Sequence, residues 1–320
     1  MPKNKPSKHS DRLELILPAT SANLGPAFDA AALAFDLHLR VDARTAGEFS
    51  VVASGRDADV CRKVPDNLIL ETYKDVLKSQ AKPVVPLSLR IRNEMPIGKG
   101  CGSSAAARLA GIALAVHFAD LGWSSAQIIG EASRREHHPD NAAACWLGGL
   151  VVARMSGEAE AQSIKVKVKG KWPLLFIVPG EALSTAEARR VLPQQYSRAD
   201  LVTNIQNSML LLASFVEGRA DLLGGALRDR IHQPYRAPLC PVFAAMEKRE
   251  EKDGILGVAL SGAGPSVLVF VDPRAAVAKV KAALRSYLQK QGMTAELIAT
   301  SITDAGAADS PGWKTHHSRR

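Results

Sequence analysis

The sequence predicts an α+β protein of two domains, on three observations. Strand-like and helix-like segments mix along the chain without the strict strand–helix–strand repeat of a doubly wound parallel sheet. A strand, a glycine loop and a helix follow one another over residues 87–118. A second series, strand, small-residue turn, strand, helix and strand, occupies residues 257–302. A basic alternating stretch at 166–171 separates the two series. The 320 residues suffice for two ordinary domains.

Taken in order, residues 1–10 are polar and basic and are expected to be a disordered tail. Leu13, Leu15 and Leu17 alternate with Arg12, Glu14 and Ile16, which predicts a strand. A loop covers 18–29, and further strands fall at 33–43 and 49–53. Asp66 and Asn67 cap a helix that runs towards Leu77. Leu87, Leu89 and Ile91 alternate with Ser88, Arg90 and Arg92, giving a strand with one buried face. Over 105–118, Leu109, Ile112, Ala113 and Val116 share one helical face. A helix at 124–135 leads into Glu136, His137, His138, Pro139, Asp140 and Asn141, and Gly148 and Gly149 precede another strand. Residues 166–171 are expected to form an edge strand and a linker. A buried strand at 174–178 follows, then helices at 184–191, at 200–217 and from Asp221 onwards. Strands at 257–271, a helix at 274–291 and a strand at 295–302 complete the pattern. The expected domains are 11–168 and 169–304, with a flexible tail over 305–320.

Apolar residues make up 46% of the chain and charged residues 23%, as in soluble globular proteins. The formal charge of +9 lies largely in the two ends and in 165–171. Only 5% of residues are aromatic, and none is interleaved with basic residues in the way that stacks bases. The charge is therefore expected to attract anionic metabolites, with no nucleic acid and no membrane as partner. The first residues lack the apolar core of a secretory signal. Cys61, Cys101, Cys145 and Cys240 show no metal or redox spacing. A reduced, cytoplasmic location follows as the expectation.

The chemistry concentrates at Pro96, Ile97, Gly98, Lys99, Gly100, Cys101, Gly102, Ser103, Ser104, Ala105 and Ala106. Glycine lets a backbone approach a ligand closely and take conformations that a Cβ forbids. Such a loop opening a helix aims several N–H groups at one point, and the helix dipole adds positive potential there. This is a phosphate cradle, and its two hydroxyls suit a phosphate oxygen or Mg²⁺. It is not a P-loop, because Lys99 comes too early and no Lys precedes Ser103. It is not a dinucleotide fingerprint either, because Ser103 occupies the third glycine position. A plain tight turn remains the alternative at this point.

Three runs together resemble the GHMP small-molecule kinases: Pro18-Ala19-Thr20-Ser21-Ala22-Asn23-Leu24-Gly25-Pro26, residues 96–106, and Leu260-Ser261-Gly262-Ala263-Gly264-Pro265-Ser266. The resemblance covers nearly the whole chain apart from its ends. It implies a two-domain fold, with an N-terminal domain like the second domain of ribosomal protein S5 and a ferredoxin-like C-terminal domain. Within the family the chain is most similar to the homoserine kinase branch. The residues that carry this are Phe28-Asp29 after the first motif, His138-Pro139-Asp140-Asn141 followed by Leu147-Gly148-Gly149, the segment 184–189, and Pro234-Tyr235-Arg236. The chain departs from the pattern at Ala27, Cys101, His137 and Gln233.

The resemblance implies ATP as co-substrate, Mg²⁺, and L-homoserine as acceptor, on the route to threonine. Residues 96–106 would wrap the ATP phosphates. Ser103 would contact Mg²⁺, with Glu136 as second ligand and Glu131 its rival. Homoserine carries a carboxylate, an ammonium and a reactive hydroxyl. Arg189 and Arg236 offer forks for the first, and Asp29 can pair with the second. Asn23 and Asn141 can bond the hydroxyl end, while His138 and Thr185 are further contacts. Asn23, Asn141 and Arg189 form the expected catalytic set. Asp140 is the obvious general base, yet the expected reaction is direct in-line transfer without a strong base. His137, His138 and Asp140 suggest zinc, but the sequence shows no third well-spaced ligand. Residues 261–264 are expected to pack close to the phosphate loop. Another GHMP acceptor (mevalonate, methylerythritol or a sugar) is the alternative, and a basic RNA-binding protein a remote one. Self-association into a homodimer is left open.

Overall fold

The computed structural model describes residues 11–249 and 253–317. The tail expected over 1–10 lies outside the described residues. The first layer begins with β1 (Arg12–Ala22) and β2 (Ala31–Thr45), which pair antiparallel with Leu15 opposite Val41 and Leu17 opposite Leu39. Then come β3 (Ser50–Gly55), α1 (Ala58–Cys61), α2 (Leu68–Ser79), β4 (Leu87–Asn93), α3 (Ser103–Phe118), α4 (Ser125–Glu136), α5 (Asp140–Leu147), β5 (Leu150–Gly157) and β6 (Glu160–Val166). The sheet order is β3-β4-β2-β5-β6, with β1 also on β2. The long strand β2 is shared: β1 lies along one edge, and β4 and β5 take separate halves of the other. Only β3 and β4 run parallel. Asn67 caps α2 by accepting from the Ile69 and Leu70 amides, and Ser124 with Gln127 forms a capping box on α4, as their residue types favour.

The second layer contains β7 (Pro173–Pro179), α6 (Thr185–Arg190), α7 (Arg198–Glu217), α8 (Leu223–Ala226), α9 (Gln233–Arg236), α10 (Pro241–Glu247), β8 (Ile255–Leu260), β9 (Val267–Val271), α11 (Val277–Lys290) and β10 (Ala295–Ser301). Its antiparallel sheet has the order β10-β7-β9-β8, which is the expected ferredoxin-like arrangement. The run Leu174-Leu175-Phe176-Ile177-Val178 is buried on both faces. Leu174, Phe176 and Val178 join the large core shared with the first layer, whereas Leu175 and Ile177 join a smaller core with Phe243 and Leu284. The phosphate loop and the segments after β7 and β8 converge where the two layers meet.

Three expectations are corrected. The edge strand lies at β6, and residues 167–172 form no strand: the chain turns inward there, with Trp172 packed on Phe215 and the Lys169 amide bonded to the Phe215 carbonyl. The helix expected from Asp221 onwards is broken into short pieces: α8 ends at Ala226, the Asp229 carboxylate then takes the amides of Ile231, His232 and Gln233, and Pro234, Pro238 and Pro241 open the next pieces in their first turns. The tail expected to be loose from 305 is built into the fold over its described part. Ala307–Asp309 form a turn of 3₁₀ helix and α12 spans Pro311–His317. Trp313 packs edge-on against Trp146 with ring centres 5.0 Å apart, and the Ile16 amide donates to Ser310 Oγ at 2.9 Å.

Candidate active site

The three glycines of the loop, Gly98, Gly100 and Gly102, have φ of 71°, 78° and 68°, a region that side chains other than glycine's disfavour. A Cβ on Gly100 would stand 2.3 Å from the Ser261 carbonyl oxygen, and one on Gly102 1.9 Å from Thr20 Oγ1. The first and third motifs therefore press on the loop from both sides. Ser261 Oγ donates to the Gly100 carbonyl at 2.7 Å, and the Thr20 amide donates to the Cys101 carbonyl at 3.0 Å. Residues 261–264 thus lie where they were expected.

Gly102 is the N-cap of α3 and provides no side-chain cap, so the first-turn amides of a 16-residue helix stay available to an anion. Ser104 Oγ donates to Glu136 Oε2 at 2.8 Å, and Arg108 Nε to Glu136 Oε1 at 2.6 Å. Of the two expected hydroxyls, that of Ser104 is the one in contact with Glu136. Successive helical residues point about 100° apart, and Ser103 Oγ faces the Gly98 amide at 3.4 Å instead. Glu131 is tied to Arg134 and Arg135. Burial alone would raise its pKa, but these bonds bring it below the ordinary value. Glu136 lines the cleft and Glu131 does not.

The cleft has a volume of about 390 Å³. Its apolar lining includes Leu39, Val60, Cys61, Ile69, Ile91 and Met95. Gly98, Gly100, Gly102, Ser103 and Ser104 line it as well. Pro96, Lys99, Cys101, Ala105 and Ala106 do not line it, while Ile97 does. Cys101, Ala105 and Ala106 are fully buried under the loop, and burial pushes the Cys101 thiol up to about 12. Lys99 Nζ reaches away to the Gly180 carbonyl at 2.6 Å and to the Glu181 carbonyl, which ties the loop to the second layer.

Asn23, Asp29, His138, Asn141, Thr185, Arg189 and Arg236 all line the same cleft. Arg189 Nη2 donates to both Asp29 oxygens, at 2.8 and 3.0 Å. Burial raises the Asp29 pKa above the ordinary value, with Arg189 opposing. His138 Nδ1 donates to Asp140 Oδ1 at 2.7 Å. Burial depresses His138, but the bond and charge of Asp140 and the charge of Asp29 outweigh it, leaving the pKa raised. Asp29, His138 and Asp140 bring ligand atoms within 4.8 Å of one another, so the third group that the zinc pattern lacked in sequence is present. Each is already engaged, however, Asp29 by Arg189 and His138 by Asp140, and the cluster is better suited to an ammonium group.

Asn23 lines the cleft and also holds backbone. Its Nδ2 donates to the Gly262 carbonyl at 2.9 Å and its Oδ1 accepts from the Asp29 amide at 3.0 Å. The second hydrogen of Nδ2 is not used by these bonds. Asn141 Oδ1 accepts from Thr20 Oγ1 at 2.6 Å, which leaves its Nδ2 free to donate. Arg236 is buried, with Nε on the Ala188 carbonyl and Nη1 on His232 Nδ1 and the Gly262 carbonyl. Burial first, then the charge of Arg189, lowers its pKa to about 10.

Sequence reasoning missed Phe28 and His232. The Phe28 ring lies 5.5 Å from the Arg189 guanidinium and 5.3 Å from that of Arg236, and it stacks on His232 at 5.1 Å. The aromatic residue inside the first motif was the available signal for Phe28. His232 donates through Nε2 to the Gly25 carbonyl at 2.8 Å, a partner about two hundred residues distant that no local pattern discloses.

The model of the GHMP kinases N terminal domain matches residues 67–149, and that of the GHMP kinases C terminal domain matches 211–290. A homoserine kinase of Solibacter usitatus is 44% identical over 81% of this chain and 84% of the relative. One from Deinococcus radiodurans is 34% identical over 90% and 94%. Among solved structures, a homoserine kinase from Cytophaga hutchinsonii superposes with TM-score 0.79 at 24% identity, covering 94% of this chain and 98% of that one. The mevalonate kinase of L. major shares the fold at TM-score 0.70 and 13% identity, over 94% of this chain and 100% of that one. The chain belongs to the GHMP kinase family, and its similarity within that family is to the homoserine kinases.

Proposed function

We propose that the chain transfers the γ-phosphoryl group of ATP to the side-chain hydroxyl of L-homoserine, giving ADP and O-phospho-L-homoserine. The observation that carries the choice of acceptor is the gathering of Arg189, Arg236 and Asp29 about Phe28 in the same cleft as the glycine loop. Two guanidinium groups suit a carboxylate and one carboxylate suits an ammonium. A sugar or polyol needs neither. The reading includes a cytoplasmic enzyme on the route to threonine.

The apolar lining accepts the adenine, and the loop amides with the α3 N-terminus receive the phosphates. Thr20 fixes Asn141 Oδ1, so Asn141 Nδ2 can hold the acceptor hydroxyl in line with the phosphorus. Asn23 sets the Asp29 loop. Asp140 Oδ1 is occupied by His138 and by the Asn141 amide, while Oδ2 is buried without a hydrogen-bond partner, and in this reading Asp140 positions the acceptor pocket. Transfer is direct, and the hydroxyl proton leaves late or to phosphate. Glu136 and Ser104, with Ser103 beside them, offer the hard oxygen donors that Mg²⁺ prefers, and when bound the ion neutralises phosphate charge.

A coupled assay of ADP release over L-homoserine, mevalonate and galactose tests the proposal. Turnover is expected with homoserine alone. Absence of homoserine turnover, or a better rate with either other acceptor, overturns it.

A further inference from the structure

Glu136 ends α4 with both carboxylate oxygens held from α3. Ser104 Oγ donates to Oε2 at 2.8 Å and Arg108 Nε to Oε1 at 2.6 Å. Ser104 and Arg108 are four residues apart, so they share one face of that helix. Glu136 and Ser104 line the cleft, whereas Arg108 does not. The guanidinium therefore reaches the carboxylate from the side away from the cleft, and the two side chains are only 26% and 10% exposed. We propose that Arg108 is a counter-ion that closes Glu136 to a bare divalent cation, so that the metal enters only together with the nucleotide phosphates. The proposal rests on Glu136 as the metal ligand, as proposed above, and adds the order in which that site is filled.

A cation that comes alone to Glu136 meets a carboxylate whose charge is already neutralised. The bond is short and charge-assisted, and partial burial shields it from the salt that weakens surface pairs. On the cleft side the loop amides and the α3 N-terminus add positive potential. Mg²⁺ gives up its water shell reluctantly, and a site with no net negative charge does not offset that cost. A triphosphate supplies the missing charge. Oε2, on the Ser104 side, then serves the ion, while Arg108 keeps Oε1 and fixes the carboxylate plane. Arg108 acts through Glu136 and touches neither nucleotide nor ion, so it is a positioning residue.

Mn²⁺, followed by the loss of its free-ion spin-resonance signal, reads this site without nucleotide or turnover. Arg108→Met keeps an aliphatic stem and removes the charge, and it should bind Mn²⁺ about tenfold more tightly than the natural chain. Arg108→Gln, which can still donate to Glu136 but carries no charge, should gain likewise. Arg108→Lys keeps the charge and should stay within about threefold of the natural chain. Adding Glu136→Gln to Arg108→Met should abolish the gain. If neither uncharged variant binds more tightly, or if the lysine variant gains as much as they do, the counter-ion role is refuted. If the gain survives Glu136→Gln, the ion sits elsewhere, as at the Asp29, His138 and Asp140 cluster, and the assignment of Glu136 itself is refuted.

Discussion

Arg236 shows how a residue type can be legible in sequence while its bonding is not. Its expected role was a two-pronged fork for a carboxylate. The structure commits Nε and Nη1 to the Ala188 carbonyl, His232 and the Gly262 carbonyl. The sequence indicates that a guanidinium stands near the site, but not which of its donors the fold consumes. The same holds for Asn23, whose amide also braces the Gly262 carbonyl and the Asp29 amide. Arg236→Lys keeps the charge but cannot reach all three acceptors, so buried carbonyls lose their donors. The expected loss is about 1–3 kcal/mol of stability, together with a homoserine KM raised roughly tenfold by loss of the planar fork. Thermal melts and steady-state kinetics measure the two separately. An unchanged melting temperature would contradict the bracing role.

At the level of elements, the phosphate loop depends on close contact between backbones rather than on side chains. Gly102→Ala would drive a Cβ into Thr20 Oγ1, the group that fixes Asn141. ATP binding and transfer should both fall, by at least tenfold, and fluorescence titration of a nucleotide analogue against turnover would separate them. His137, a departure from the family pattern, ends α4 with φ of 67°. The helix end keeps the left-handed form that glycine usually supplies, so the loop carrying Asn141 is not displaced by the histidine. Helix starts were legible because Asn67, Ser124 and Ser184 declare them locally, and strands were legible from alternation. The broken helix after Asp221 and the α12 helix were not, since their shapes come from the Asp229 side chain taking three following amides and from partners far away in the chain.

Across the whole molecule, the two layers are held by a shared core and by the Arg56–Glu296 pair at 2.7 and 2.8 Å. His232 adds a pH dependence. Burial, reinforced by Arg236, holds its pKa at about 4 against an ordinary 6.5, with Asp229 opposing. The unfolded chain therefore takes up this proton first. The contribution is complete above the ordinary value and is lost as pH falls from there towards the folded value, by up to about 3 kcal/mol. His138 has the opposite sign, because its raised pKa contributes at low pH and fades as pH rises through it. Urea midpoints at pH 7 and pH 5 should fall further for the natural chain than for His232→Gln, and equal falls would refute the assignment. The Ile16–Ser310 bond joins residues 294 positions apart, and Gly312 packs on the Glu14 backbone. On a ribosome, Ile16 of β1 is made 294 residues before Ser310, part of its outer cover, arrives. The first layer is thus the earliest to emerge and among the last to be sealed, so a stall or truncation before residue 306 leaves β1 open to chaperones and to mispairing.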